Sequence, residues 1–259
     1  MDLQTMVDKL NVYFRPQTFP IAIRLVRSGD EIPKKAKMPK QDLGVEMSLC
    51  QGVAITRRYG WTMAMGADDM NCPAGALVAG FYPADEKVLS GSFMMPFWGD
   101  QNIRARIVAD IPKLEAGKYR YIVTAPLEKT TFEPQLILVY GNPAQIARLI
   151  QANTLKTGKS LVSSFMGAFA CGVEIAKPLI DNQCQATISG GGERSVALTQ
   201  DHEMCFTIPI DKAEAIIDGL EITHKAGTRY PVANFLTFEA EFAPGYKDLM
   251  KYLRTSVAT

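Results

Sequence analysis

Only two histidines, His202 and His224, occur among the 259 residues. Neither stands in a His-Glu-x-x-His pattern, which argues against His-rich zinc catalysis. A cysteine nucleophile normally takes its base from a nearby histidine. Neither histidine lies in a recognisable partner motif, and capping suffices to explain His224 at a helix end. Charge of one sign is also scarce. Lys and Arg number 28 against 27 Asp and Glu, a net charge of +1. That balance supplies no broad electrostatic footprint for nucleic acid or an anionic membrane. The basic cluster Lys34-Lys35-Ala36-Lys37-Met38-Pro39-Lys40, framed by prolines, reads as a solvated loop. No stretch approaches the ~18 apolar residues of a membrane span. The first residues carry early acids and no cationic-then-apolar signal pattern, so a cytoplasmic protein is expected. There is no Cys-x-x-Cys pair and no compact ferredoxin spacing. Thr157-Gly158-Lys159-Ser160 imitates a phosphate loop, but Asn153 occupies the position of its first glycine. Gly158 is expected to end a helix instead.

What is present is an ordinary globular composition, 47% hydrophobic and 21% charged. The length suits one large domain or two small ones. Five cysteines (Cys50, Cys72, Cys171, Cys184 and Cys205) are widely spaced and odd in number. In a reducing compartment such a set reads as free thiols or ligands rather than disulfides.

Two segments resemble one another. Leu49-Cys50-Gln51-Gly52-Val53 and Ala170-Cys171-Gly172-Val173 each place a cysteine at the start of an apolar helix pattern. Strand patterns at Phe19–Val26 and Glu133–Tyr140 precede them. Ser92-Phe93-Met94-Met95-Pro96 aligns with Cys205-Phe206-Thr207-Ile208-Pro209, and helices over about 103–111 and 211–222 close the two halves. Further strands are expected at 60–65 and 185–189. Asn142-Pro143 opens a helix running to about Asn153, with Asn as N-cap. The expected fold class is α/β or α+β. Two pseudo-symmetric lobes would arise by internal duplication, with mixed sheets and flanking helices. The lobes are placed at 1–125 and 126–236, followed by a helical tail at 237–259.

Helix N-termini favour thiolates, which singles out Cys50 and Cys171. Cys72, in Asn71-Cys72-Pro73-Ala74-Gly75, opens a short helix after a strand, where ligands often bind in α/β folds. Its counterpart, Gly190-Gly191-Gly192-Glu193-Arg194-Ser195, has no cysteine. Three converging thiols, Cys50, Cys72 and Cys171, would suit an iron–sulfur cluster with one open iron, such as a 4Fe–4S cluster, or another thiophilic metal. Inert core thiols are the plain alternative, and Cys184 and Cys205 are assigned to packing. Gly191, Gly192 and Arg194 could hold an anionic part of a small-molecule ligand; a tight strand–helix turn explains the same glycines. Tyr59, Trp61, Met63, Met65, Met94, Met95, Phe97 and Trp98 could line an apolar pocket, or be core.

The set Leu49-Cys50-Gln51-Gly52-Val53, Asn71-Cys72-Pro73-Ala74-Gly75, Ala125-Pro126-Leu127-Glu128-Lys129, Tyr140-Gly141-Asn142-Pro143-Ala144-Gln145 and His224-Lys225-Ala226-Gly227-Thr228-Arg229-Tyr230-Pro231 resembles the Domain of Unknown Function 169 family. The resemblance runs from about Leu10 to Leu236. It implies a protein of archaea or anaerobic bacteria and brings no settled activity. The family's cysteine patterns match Cys50, Cys72 and Cys171, and an anaerobic setting would suit an oxygen-sensitive cluster or a redox role. Cys184 and Cys205 match no pattern of the family. The expectation is therefore a metal- or cluster-binding protein with a redox or small-molecule-converting role, its site between the lobes. A metal-free binding or sensing protein, a cysteine-nucleophile enzyme and a purely structural partner protein stand as alternatives. Substrate, electron partner and oligomeric state are not legible.

Overall fold

The structure is a computed structural model that describes residues 1–232 and 240–256. Its strands are β1 (Ile21–Val26), β2 (Met63–Gly66), β3 (Tyr121–Pro126), β4 (Leu136–Gly141), β5 (Gln185–Ile188) and β6 (Met204–Pro209). The helices are α1 (Leu3–Tyr13), α2 (Pro39–Leu43), α3 (Leu49–Tyr59), α4 (Pro73–Val78), α5 (Glu86–Leu89) and α6 (Gln101–Asp110). They continue as α7 (Pro143–Thr157), α8 (Lys177–Asp181), α9 (Gly191–Val196), α10 (Ile210–Lys225) and α11 (Pro244–Ser256). A π-helical turn, Gly172–Ala176, leads into α8.

All six strands join one sheet in the order β2-β3-β1-β4-β6-β5, and every pairing is antiparallel. The expected helix and strand content is present, but the halves share this sheet. Exchanging β1, β2 and β3 for β4, β5 and β6 reverses the order onto itself. A duplicated unit would give that pattern; the pattern alone does not establish one. The boundary expected at 236 lies outside the described residues.

One pairing expected between the halves is different. Ser92–Pro96 forms turns and leads into a short 3-10 helix, Pro96–Trp98. The segment that stands opposite β6 in the strand order is β3, and both strands end in proline, Pro126 and Pro209. A short apolar run has no periodicity that separates a strand from a turn-rich loop. Gly91, at φ +73°, sits where an added Cβ would meet the backbone of Arg104 and Ala105, so the chain turns there.

Side-chain alternation sends β1 residues to two cores. Ala22 and Val26 join Met6, Leu10, Leu149, Ile216 and Leu220 from α1, α7 and α10. Ile21, Ile23 and Leu25 face the other way, onto Leu49 and Val53 of α3, Val78 of α4 and Ile175 of the π turn. The sheet is thus covered on both faces, and its strands are buried nearly throughout. All three candidate cysteines are carried by elements of the second face.

The first face is tight at the crossing of α7 and α10. A Cβ on Gly219 would lie 2.9 Å from the Ala152 Cβ and 3.0 Å from its carbonyl oxygen. Ordinary helix propensity would reward Gly219→Ala by up to ~1 kcal/mol. Here the substitution forces two helices apart, and we expect Gly219→Val to lose about 1–3 kcal/mol. A lower urea midpoint at unchanged slope would show it; a midpoint at or above that of the parent would contradict it.

α7 begins as its sequence predicts. Asn142 and Gln145 form a reciprocal cap, Pro143 follows it, and Gly158 ends the helix at φ +66°. α11 lies near the helix expected at 245–254 and has no buried residue. Among the described residues no helix is long and apolar enough to cross a membrane.

Candidate functional site

Three helix starts bring the thiols to the second face. Ser48 caps α3 with Gln51 in a reciprocal box, and Cys50 stands in the first turn. The Ser48 hydroxyl lies 3.1 Å from the Cys50 sulfur. Cys72 is itself the N-cap of α4, its sulfur accepting from the Gly75 N–H at 3.5 Å. Cys171 immediately precedes the π turn. α3 packs on α4, and α4 packs on the π turn. All three thiols are free and partly exposed, whereas Cys184 and Cys205 are buried in the two cores as expected.

The charges of Cys50 and Cys72 reach Cys171, and that of Cys72 reaches Cys50. Burial pushes the Cys50 thiol up to about 11; the Ser48 hydrogen bond works against this, while Glu193, Cys72 and Glu174 add to it. Cys171 is raised well above its ordinary value, first by burial, then by Cys50, Glu174, Cys72 and Glu193. Part of its surface remains open, but protein packs around it closely enough for desolvation to dominate. As isolated groups, Cys50 and Cys171 are protonated thiols at neutral pH. Among the described residues no three His, Cys, Asp or Glu side chains stand in ready-made metal-ligand geometry. Side-chain rotation would have to draw the sulfurs together around a metal.

Behind the thiols lies a buried polar network that sequence reasoning missed. The Tyr140 hydroxyl lies 2.9 Å from Glu193 Oε1 and 3.2 Å from Glu174 Oε2. It has one proton, so it can donate to only one of them at a time. Both carboxyls thus converge on one hydroxyl. Burial, then the Glu193 charge, holds Glu174 well above the ordinary carboxyl range. Glu174 Oε1 and Glu193 Oε2 are buried without a hydrogen-bond partner. The raised Glu174 keeps its proton at neutral pH, which spares the network one buried charge.

Arg57 lies next to this pair, only 1% exposed. Its guanidinium stacks 4.1 Å from the Tyr140 ring centroid. It also grips Glu203 with two bonds, 2.7 and 2.9 Å. Arg58 reaches the same carboxylate at 3.1 Å. One signal for Arg57 was present: Leu49, Val53, Thr56 and Arg57 share a helical face, and an arginine on an apolar face needs a buried partner.

The π turn has a local cause. Pro178 cannot donate an N–H to the Glu174 carbonyl four residues earlier, and its ring crowds that carbonyl. The Thr207 hydroxyl of β6 donates to it instead, at 2.8 Å. The distortion therefore pins Glu174 to the sheet next to Cys171.

The glycine run follows β5 as expected, with Gly190 as the N-cap of α9 and Gly191 and Gly192 as its first two residues. A Cβ on Gly190 would stand 2.7 Å from the Ala168 Cα, so Gly190 allows the loop before Cys171 to approach. Gly191 and Gly192 face open space. Arg194 donates to the carbonyls of Ser189 and Gln200 and lies 3.7 Å from Asp201. Its guanidinium ties the 189–201 loop together. The aromatic and methionine residues divide: Met63 and Met65 are core, Tyr59 and Trp61 are exposed, and Met94, Met95 and Trp98 line a pocket.

Comparison with known proteins places the chain in a family. The family model described as "Uncharacterised ArCR", Domain of Unknown Function 169, matches residues 9–219. The chain belongs to the DUF169 family. Its match extends across all six strands and every cysteine, while α11 lies beyond it. "Uncharacterized protein MJ0308" of the archaeon Methanocaldococcus jannaschii is 26% identical over 205 residues, covering 78% of this chain and 86% of that one. No solved structure matches.

Proposed function

We propose that Cys50, Cys72 and Cys171 bind a thiophilic metal ion or an iron–sulfur cluster, and that this DUF169 protein serves a redox or small-molecule-converting role. One observation carries the reading. Three free thiols stand on three elements that pack in sequence, α3 on α4 and α4 on the π turn, and both Cys50 and Cys72 add to the rise of Cys171. Sulfur donors select soft metals. Burial disfavours the thiolates that a metal requires as ligands, and a cation would offset that cost. Three thiolates leave one position of a four-coordinate ion, or one iron of a cluster, open to another ligand. Gly191, Gly192 and Arg194 are the proposed holders of an anionic group on a small-molecule ligand, through turns of the Arg194 side chain away from its loop carbonyls.

The cysteine-nucleophile alternative is weaker on this geometry. Burial raises Cys50 and Cys171, whereas an activated nucleophile needs a lowered thiol. His224, which packs on Tyr13 at 5.0 Å between ring centroids, is engaged on the opposite face of the sheet.

Anaerobic reconstitution with iron and sulfide, and separately with cobalt(II), tests the metal reading. Bound metal with visible sulfur-to-metal absorption is expected. Any one of Cys50→Ser, Cys72→Ser or Cys171→Ser should weaken binding at least tenfold, as Cys184→Ser should not. A parent protein that stays colourless and metal-free in both preparations would sink the reading.

A further inference from the structure

The pocket lined by Met94, Met95 and Trp98 opens beside the segments that carry Cys72 and Cys171. It encloses about 250 Å³ and is lined by Pro73, Leu77, Met94, Trp98, Val108 and Phe169, among others. Two of its walls are the chain next to the candidate ligands. Pro73 and Ala74 directly follow Cys72, and Phe169 lies two residues before Cys171, held at φ +52°. Its rim is apolar and open: Phe93 and Met95 are exposed at 69% and 60%. Trp98 and Phe169 stand 6.2 Å apart at a tilt of 34°. Aromatic walls with Met94 and Met95 in the same lining are suited to receiving another aromatic ring.

Lys113 is the one charged residue in the lining. Its ammonium donates to the Val108 and Ile111 carbonyls, capping the end of α6. An ammonium has three N–H groups, so one donor is left for a ligand. At ~30 Å³ per water-sized volume, the space suits a molecule of roughly ten non-hydrogen atoms.

We infer that this pocket binds a small aromatic carboxylate, its ring against the wall formed by Trp98 and Phe169 and its carboxylate on Lys113. The inference does not depend on a metal at the thiols, since no cysteine lines the pocket. Bound there, the ligand lies against the segments that carry Cys72 and Cys171.

Trp98 supplies the readout, because the chain has two tryptophans and Trp61 lies outside the pocket. Full-length Trp61→Phe protein is titrated with phenylacetate and with phenylacetamide, once after chelator treatment and once after metal loading. Saturable change in Trp98 emission is expected with phenylacetate in both preparations, with the amide at least tenfold weaker. Lys113→Met should bring the two affinities together. Should that variant fail to fold, Leu77→Trp, read by heat-induced unfolding with and without phenylacetate, should abolish the stabilisation by filling the pocket. No saturable change, or equal binding of acid and amide by the parent, would overturn the inference. Binding that persists in chelator-treated protein leaves the metal reading to its own test.

Discussion

Replacing Arg57 with methionine should destabilise the protein by about 3–5 kcal/mol, the usual cost of leaving one partner of a buried ion pair alone. The substitution strands Glu203, whose carboxylate is only 6% exposed. It also removes the cation from the Tyr140 ring and takes a positive charge away from the Glu174–Glu193 pair. Arg58 remains on Glu203 from a more exposed position and cannot replace a two-bond grip. For a chain of this size the melting temperature should fall by roughly 10 °C. Glu203→Gln should cost a comparable amount. The double variant Arg57→Met/Glu203→Gln should cost clearly less than the sum, because no charge is then left buried without its mate. Strict additivity in the cycle would show that the pair contributes nothing as a pair.

Stability should fall as pH rises from about 5 to 8, and Glu174→Gln should flatten that fall. Folded Glu174 keeps its proton, because burial and then Glu193 raise it. In the unfolded chain a glutamate loses its proton near pH ~4.3. Above that pH the native state binds one proton more than the unfolded state. This stabilising contribution is complete below the unfolded value and is lost as pH climbs towards the folded one. The slope is on the order of 1 kcal/mol per pH unit. Glutamine keeps the shape and a donor but has no proton to lose. Chelator-treated protein should be used, with urea midpoints at several pH values. The window also avoids Cys50, raised to about 11, which begins to matter only above the ordinary thiol value near ~8.5. Glu203 acts at the opposite end. Burial tends to raise it, but the Arg57 bonds and the Gln200 N–H lower it overall. Its contribution is present above ~4.3 and is lost as pH falls through its folded value. Parallel pH profiles for Glu174→Gln and its parent would refute a retained proton.

The helices and strands that carry the thiols were legible because their signals are local. Asn142-Pro143 announced a helix start, and the apolar run after the turn at Pro20 announced β1. Cys72-Pro73 gave the start of α4. Segment 92–96 was misread because three apolar residues before a proline fit a strand as well as a turn. The single sheet was beyond local reading, since pairing β1 with β4 depends on hydrogen bonds between segments over 100 residues apart. The site divides the same way. Its thiols were visible as residue types at helix starts. Tyr140, Glu174, Glu193 and Arg57 were not, because a buried network is defined by which faces meet across the sheet. Arg194 was legible as a cation, but not as one already holding two carbonyls.

The middle of the sheet is its narrowest join. β1 and β4 align over three residue pairs, Ile21↔Leu138 to Ile23↔Leu136, whereas β1 with β3 and β4 with β6 each align over six. Cys50, Cys72 and Arg57 belong to the chain before that join, and Cys171, Glu174, Glu193 and Glu203 to the chain after it. Whatever the thiols hold would act as a clasp across the two halves. Losing it would loosen the molecule first along its midline, leaving the outer strands paired.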